Sequence, residues 1–93
     1  MQENLKYVLV IPLEFERVLK SLRKKTTLLR QLDNKIAKIL REPKLGKPLR
    51  NALRNYRRIH IDSYVLIYEI YQDEVRLLDF DQHDNIYKKY WKF

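Results

Sequence analysis

Histidine has an ordinary pKa near neutrality, so it is the side chain best suited to moving protons at physiological pH. The 93-residue chain has two, His60 and His83. Both lie within residues 56–87, YRRIHIDSYVLIYEIYQDEVRLLDFDQHDNIY, which also hold five of the seven tyrosines. Arg50, Arg54, Arg57 and Arg58 precede or adjoin His60. These residue types suit RNA cleavage without a metal. One group must take the 2′-hydroxyl proton, another must protonate the leaving 5′-oxygen, and cationic donors must stabilise the charge that builds on the phosphorane. Arginine is the favoured phosphate partner because its planar fork donates two parallel hydrogen bonds.

Plainer readings compete with this one. Two histidines in a chain of this size are ordinary, and such pairs are more often structural than catalytic. Asp79, Asp81, His83 and Asp84 form a cluster able to hold a hard cation. Their spacing matches no specific metal loop, and a solvated strand face explains the acids better, so no metal and no cofactor is expected. The C-terminal YKKYWKF sets Lys88, Lys89 and Lys92 among aromatics. That pattern can stack bases while neutralising phosphates; equally, Trp91 and Phe93 can pack a terminal turn against a sheet.

The elements that must position these residues follow from periodicity. Residues 6–11, KYVLVI, are apolar and β-branched enough for a buried strand. Pro12 suits a helix start, and Phe15, Val18, Leu19 and Leu22 then recur as one apolar stripe of a helix that ends at Lys24 or Lys25. Thr26 or Thr27 is placed to cap a second helix carrying Leu29, Leu32, Ile36, Ile39 and Leu40 on one face. That helix stops near Glu42, because Pro43 disfavours helical geometry in the residue before it. From Tyr56 the period is two: Arg58 and His60 share one strand face, and Ile59 and Ile61 the other. Asp62-Ser63 is a hairpin turn, residues 64–71 a central strand apolar on both faces, and Gln72-Asp73 or Asp73-Glu74 the next turn, before a strand over residues 75–80. The expected architecture is α+β: two antiparallel helices on one face of a mainly antiparallel four-stranded sheet in the order β-α-α-β-β-β, with the other face open.

Ninety-three residues make a single domain, 1–93. No apolar run reaches the roughly 18 residues of a membrane span, and the N-terminus lacks the pattern of a secretory signal. With no cysteine, disulfide, thiol and zinc–thiolate chemistry are excluded; a cytoplasmic setting is the expectation. The net charge of +8 favours a polyanionic partner. The charge is also patterned: residues 41–58 carry seven basic side chains against Glu42, whereas residues 64–84 carry six acids against Arg76.

Four motifs then matter in combination: Lys44-Leu45-Gly46-Lys47-Pro48-Leu49-Arg50, Tyr56-Arg57-Arg58-Ile59-His60-Ile61, Tyr64-Val65-Leu66-Ile67-Tyr68-Glu69-Ile70, and His83-Asp84-Asn85-Ile86-Tyr87. In this order and spacing the chain resembles the RelE/ParE superfamily of toxin–antitoxin toxins, and within it the histidine-bearing, YafQ-like branch. The resemblance implies a ribosome-dependent endoribonuclease (mRNA interferase) that needs no metal. Its partners would be the ribosome, translated mRNA and a RelB-like antitoxin forming a toxin–antitoxin hetero-oligomer, with no membrane involved. It implies His83 as general acid, Tyr87 as the aromatic that stacks or orients the base, and His60 as base or phosphate donor. Arg57 and Arg58 match basic positions near the scissile bond, and Arg50, Arg54, Lys88 and Lys89 add phosphate contacts. Many RelE-type members have an arginine where this chain has Val65, which points to a histidine-based site. A ParE-like DNA gyrase inhibitor of the same fold and a non-catalytic RNA-binding module are the alternatives.

Overall fold

A computed structural model describes residues 6–50, 53 and 55–90. Five strands form one mixed sheet in the order β1-β5-β4-β3-β2. They are β1 (Val8–Val10), β2 (Lys47–Pro48), β3 (Tyr56–Ile61), β4 (Tyr64–Tyr71) and β5 (Glu74–Gln82). β1 runs parallel to β5, and the other pairings are antiparallel. Three α-helices accompany them: α1 (Leu13–Ser21), α2 (Thr26–Arg41) and α3 (His83–Tyr90).

The architecture is α+β as expected, with two differences of layout. The short β2 makes a fifth strand, and α3 covers part of the face expected to be open. β1 is an edge strand rather than a buried one, with Val8 exposed.

β4 occupies the centre because both of its faces are apolar. Tyr64, Leu66 and Tyr68 join Phe15, Leu22, Leu32 and Ile39 in the core beneath α1 and α2. Val65 and Ile67 face the other way and pack with Leu49 and with Ile86 of α3. Asp62 turns β3 into β4 at φ 56°, and Gln72 turns β4 into β5 at φ 55°. Both are left-handed conformations, which aspartate tolerates better than most side chains. α1 ends at Ser21, short of Lys24. Lys25, whose side chain makes no capping hydrogen bond and donates instead to the Tyr64 hydroxyl at 3.0 Å, holds the cap position of α2, so both threonines fall inside its first turn.

Two details position the site. The first is a bulge in β5: Ile67 pairs with Asp79 and Tyr68 with Leu77, leaving Leu78 extra. A bulge reverses which alternate residues face which side. Val75 and Leu77 therefore point to the two-helix core before it and Phe80 after it, while Asp79 and Asp81 turn to the α3 face. The second is the seat of the Pro43–Leu45 turn on β4. The buried Tyr68 hydroxyl donates to the Pro43 carbonyl at 2.6 Å and accepts from the Gly46 N–H at 2.8 Å. A Cβ at Gly46 would lie 2.7 Å from that hydroxyl and 2.8 Å from the Arg58 carbonyl. Only glycine permits this approach of the β2 segment to β3 and β4.

Candidate active site

His60 is exposed on β3, on the face away from α1 and α2, and its cross-strand neighbour on β4 is Val65. Val65 in turn faces Asp81 of β5, and His83 follows two residues later as the first residue of α3. Strands two apart in a sheet are separated by roughly 9.6 Å, which leaves the two histidines apart unless one is brought inward. α3 does this. Its Ile86, fully buried, packs with Val65 and Ile67, and the His83 N–H is fixed to the Ser63 carbonyl at 2.9 Å. The imidazoles stack with centroids 5.7 Å apart and planes 21° from parallel. Tyr87, one helical turn on, extends the row at 6.2 Å from His83. Arg58, His60, Val65, His83, Ile86 and Tyr87 together line a cleft of about 120 Å³.

The electrostatics distinguish His60. Partial burial pushes its pKa below the ordinary 6.5, and the positive charges of His83, Arg58 and Lys47 push the same way. Lys47 pairs with Arg58 across β2 and β3, so both cations lie on the His60 face. At neutral pH His60 is therefore an uncharged imidazole facing cations, able to accept a proton. Beside it, His83 stands 55% exposed, with its Nδ1 3.6 Å from Asp84.

The ParE toxin family of type II toxin–antitoxin systems (parDE) matches residues 9–87 of this chain. The chain belongs to that family. A Methanocaldococcus jannaschii protein assigned the name toxin RelE4 is 36% identical over 87 residues, covering 89% of this chain and 93% of its own. An uncharacterised Methanosarcina mazei protein is also 36% identical over 87 residues, covering 87% of this chain and 99% of its own. The fold is shared with YafQ of Escherichia coli BL21(DE3), at a TM-score of 0.67 and 17% identity over 87% of this chain and 98% of that one. It is shared too with HP0892 of Helicobacter pylori, at 0.58 and 22% over 86% and 98%. The protein is thus a RelE/ParE superfamily toxin of a toxin–antitoxin system, and a toxin of that kind has an antitoxin partner.

In this ParE-family toxin the basic residues picked from sequence separate. Arg58 lines the cleft. Arg57 does not: it shares the opposite face with Tyr68, its β4 partner, and its guanidinium donates to the Gly46 carbonyl at 2.6 Å. Adjacent strand residues face opposite sides, so a neighbouring arginine pair cannot both reach one cleft. Arg50 is exposed in the connection between β2 and β3, and Arg54 lies outside the described residues. Lys88 is exposed on α3, whereas Lys89 pairs with Asp79 at 3.0 Å. The Tyr90 hydroxyl donates to the same carboxylate at 3.2 Å, and burial with that negative charge raises its pKa. Asp81 accepts from the Gln82 N–H and from Asn85. Among the described residues no group of three or more His, Cys, Asp or Glu is arranged to hold a metal, and no helix is long and apolar enough to cross a membrane.

Sequence reasoning missed α3, Lys47 and the wall formed by Val65 and Ile86. A signal for α3 existed: His83, Ile86, Tyr87 and Tyr90 recur at i, i+3, i+4 and i+7. Trp91 and Phe93 lie outside the described residues.

Proposed function

We propose that this toxin is a metal-independent endoribonuclease that cuts translated mRNA in the ribosomal A site, acting in the cytoplasm as one domain over residues 1–93. The observation that carries the reading is the 5.7 Å stack of His60 on His83 beside Arg58. His60, held neutral, takes the proton from the 2′-hydroxyl, whose oxygen attacks the adjacent phosphorus. Charge on the phosphorane oxygens is stabilised by Arg58 and Lys47. His83 gives its proton to the departing 5′-oxygen, leaving a 2′,3′-cyclic phosphate and a free 5′-hydroxyl. Tyr87, 53% exposed, offers a ring on which the neighbouring base can stack. The antitoxin silences the toxin by covering this basic cleft in a hetero-oligomer.

The test is His83→Ala assayed on ribosomes programmed with a defined mRNA. A positioned proton donor contributes roughly 10²–10⁴ in rate, so cleavage falls by at least that lower factor while antitoxin binding is retained. Undiminished cleavage refutes the acid role. The ParE name of the matching family favours a second reading, poisoning of DNA gyrase. Loss of supercoiling in a purified gyrase assay, with mRNA left intact, would establish it instead.

A further inference from the structure

His60 is a wall shared by three recesses. Besides the cleft with His83, it borders a recess of about 180 Å³ lined by Leu45, Lys47, Arg58 and Ile59. On its other side lies a larger groove of about 320 Å³ between α2 and the end of β3, lined by Gln31, Asn34, Lys35, Lys38, Ile61 and Asp62. The three therefore meet at one residue of β3. They carry cations at both ends: Lys47 and Arg58 on one side, Lys35 and Lys38 on the other.

The groove has the composition of a nucleotide site. Lys35 and Lys38 sit three apart on α2, hence on one helix face. Gln31 lies on the same face one turn before Lys35, and Asn34 one turn before Lys38. Lysines supply phosphate attraction without sequence preference, while primary amides can both donate to and accept from base edges. Asp62 adds an acceptor suited to an exocyclic amine or a ribose hydroxyl. A volume near 320 Å³ reaches the range of roughly 300–1,000 Å³ in which small-molecule sites are found. The cleft with His83, at about 120 Å³, holds little more than the reacting phosphate.

We propose that the α2–β3 groove is a second RNA subsite, holding the nucleotide that flanks the scissile phosphate, with Lys35 and Lys38 on its backbone and Gln31 and Asn34 on its base. The proposal rests on the ribonuclease reading above. An RNA strand is favoured over an acidic antitoxin segment as occupant because the groove and the cleft share His60 as a wall. A strand whose phosphate reacts between His60 and His83 must leave past one side of His60, and this side offers room, amides and cations together.

The experiment uses the full-length toxin on ribosomes programmed with two synthetic mRNAs. One is all-ribose; the other has a 2′-deoxy nucleotide at the cleavage site and 4-thiouridine beside it. With wild-type toxin, the first mRNA is cut and the second, lacking the nucleophile, is crosslinked to the segment spanning residues 31–38. Lys35→Ala/Lys38→Ala raises KM for the first mRNA about tenfold with kcat within about threefold, the pattern of lost binding rather than lost chemistry. The slope of log affinity against log salt falls by about 0.7 for each phosphate contact removed. A thermal melt matching wild type shows that the double variant is folded, and Gln31→Ala/Asn34→Ala provides a second, charge-neutral probe of KM. Unchanged KM, or crosslinks confined to other segments, overturns the subsite while wild-type cleavage leaves the ribonuclease reading standing. Weakened antitoxin binding with cleavage unchanged assigns the groove to the antitoxin and likewise overturns it. No cleavage of the all-ribose mRNA by wild type overturns both.

Discussion

A proton on His83 opposes one on His60 at 5.7 Å, and the neighbouring cations Arg58 and Lys47 add to that opposition. The consequence is a sign that can be measured. The folded-state pKa of His60 lies below the ordinary 6.5, so kcat/KM falls on the acid side only as pH drops through that lowered value. Arg58→Ala or Lys47→Ala removes a positive charge, raises the His60 pKa and moves the acid limb to higher pH; a limb that moves lower would contradict the electrostatic account. The limb of the wild type should also rise in 1 M salt, where the Debye length contracts to about 3 Å. For stability the same shift works in one direction. Below pH 6.5 the unfolded chain binds the His60 proton more readily than the folded one, so stability declines with acidification in that window. His60→Gln reduces this decline, as denaturation followed from pH 7 to pH 5 would record.

Between residue and molecule stand the elements that hold the cleft open. The Pro43–Leu45 turn and β2 carry Lys47 to the recess beside Arg58 and His60, and they are fastened to β4 through the Tyr68 hydroxyl. Burial raises the pKa of that hydroxyl, which stays protonated and can keep donating to the Pro43 carbonyl. Tyr68→Phe leaves a buried N–H and a buried carbonyl without this partner, an expected cost of about 2–4 kcal/mol by urea denaturation. Gly46→Ala drives a methyl group against the same hydroxyl and the Arg58 carbonyl. Its expected cost is about 1–3 kcal/mol, with reduced cleavage because Lys47 and Arg58 are displaced. β3 places its two arginines on opposite faces. Arg57→Ala loses the bond to the Gly46 carbonyl and lowers the melting temperature, yet leaves the salt slope of RNA binding unchanged. Arg58→Ala does the reverse, and identical behaviour of the two variants would refute the division.

At the scale of the whole molecule the layers divide the work. α1 and α2 bury the core under one sheet face; α3 half-covers the other and contributes His83 and Tyr87 to the site. The net charge of +8 makes association with a polyanion fast at low salt and steeply weaker as salt rises. On the proposal that the antitoxin covers the cleft, it is expected to present negative charge to the Arg58 face. Its binding should therefore weaken with salt as well, and Arg58→Ala should lower its on-rate in stopped-flow measurements at low ionic strength.

The sequence by itself determined whatever is decided between near neighbours. The period of two from Tyr56, the turn at Asp62-Ser63 and the doubly apolar run from Tyr64 to Tyr71 specify the β3–β4 hairpin, because alternation and turn chemistry act over a few residues. Pro43 likewise ends α2 through contact with the residue before it. Only the tertiary structure decided the rest. The bulge at Leu78 arises in pairing β5 with β4, and it sends Phe80 to the core and Asp81 to the site face. The separation of Arg57 from Arg58 depends on which sheet face the helices cover. The 5.7 Å approach of His60 to His83 requires α3 to seat Ile86 against Val65 and Ile67, a contact between segments about 20 residues apart. The two histidines were legible as residues able to carry protons. Their pairing was not, because no local pattern encodes how far two ends of a sheet lie from each other once a helix packs across it.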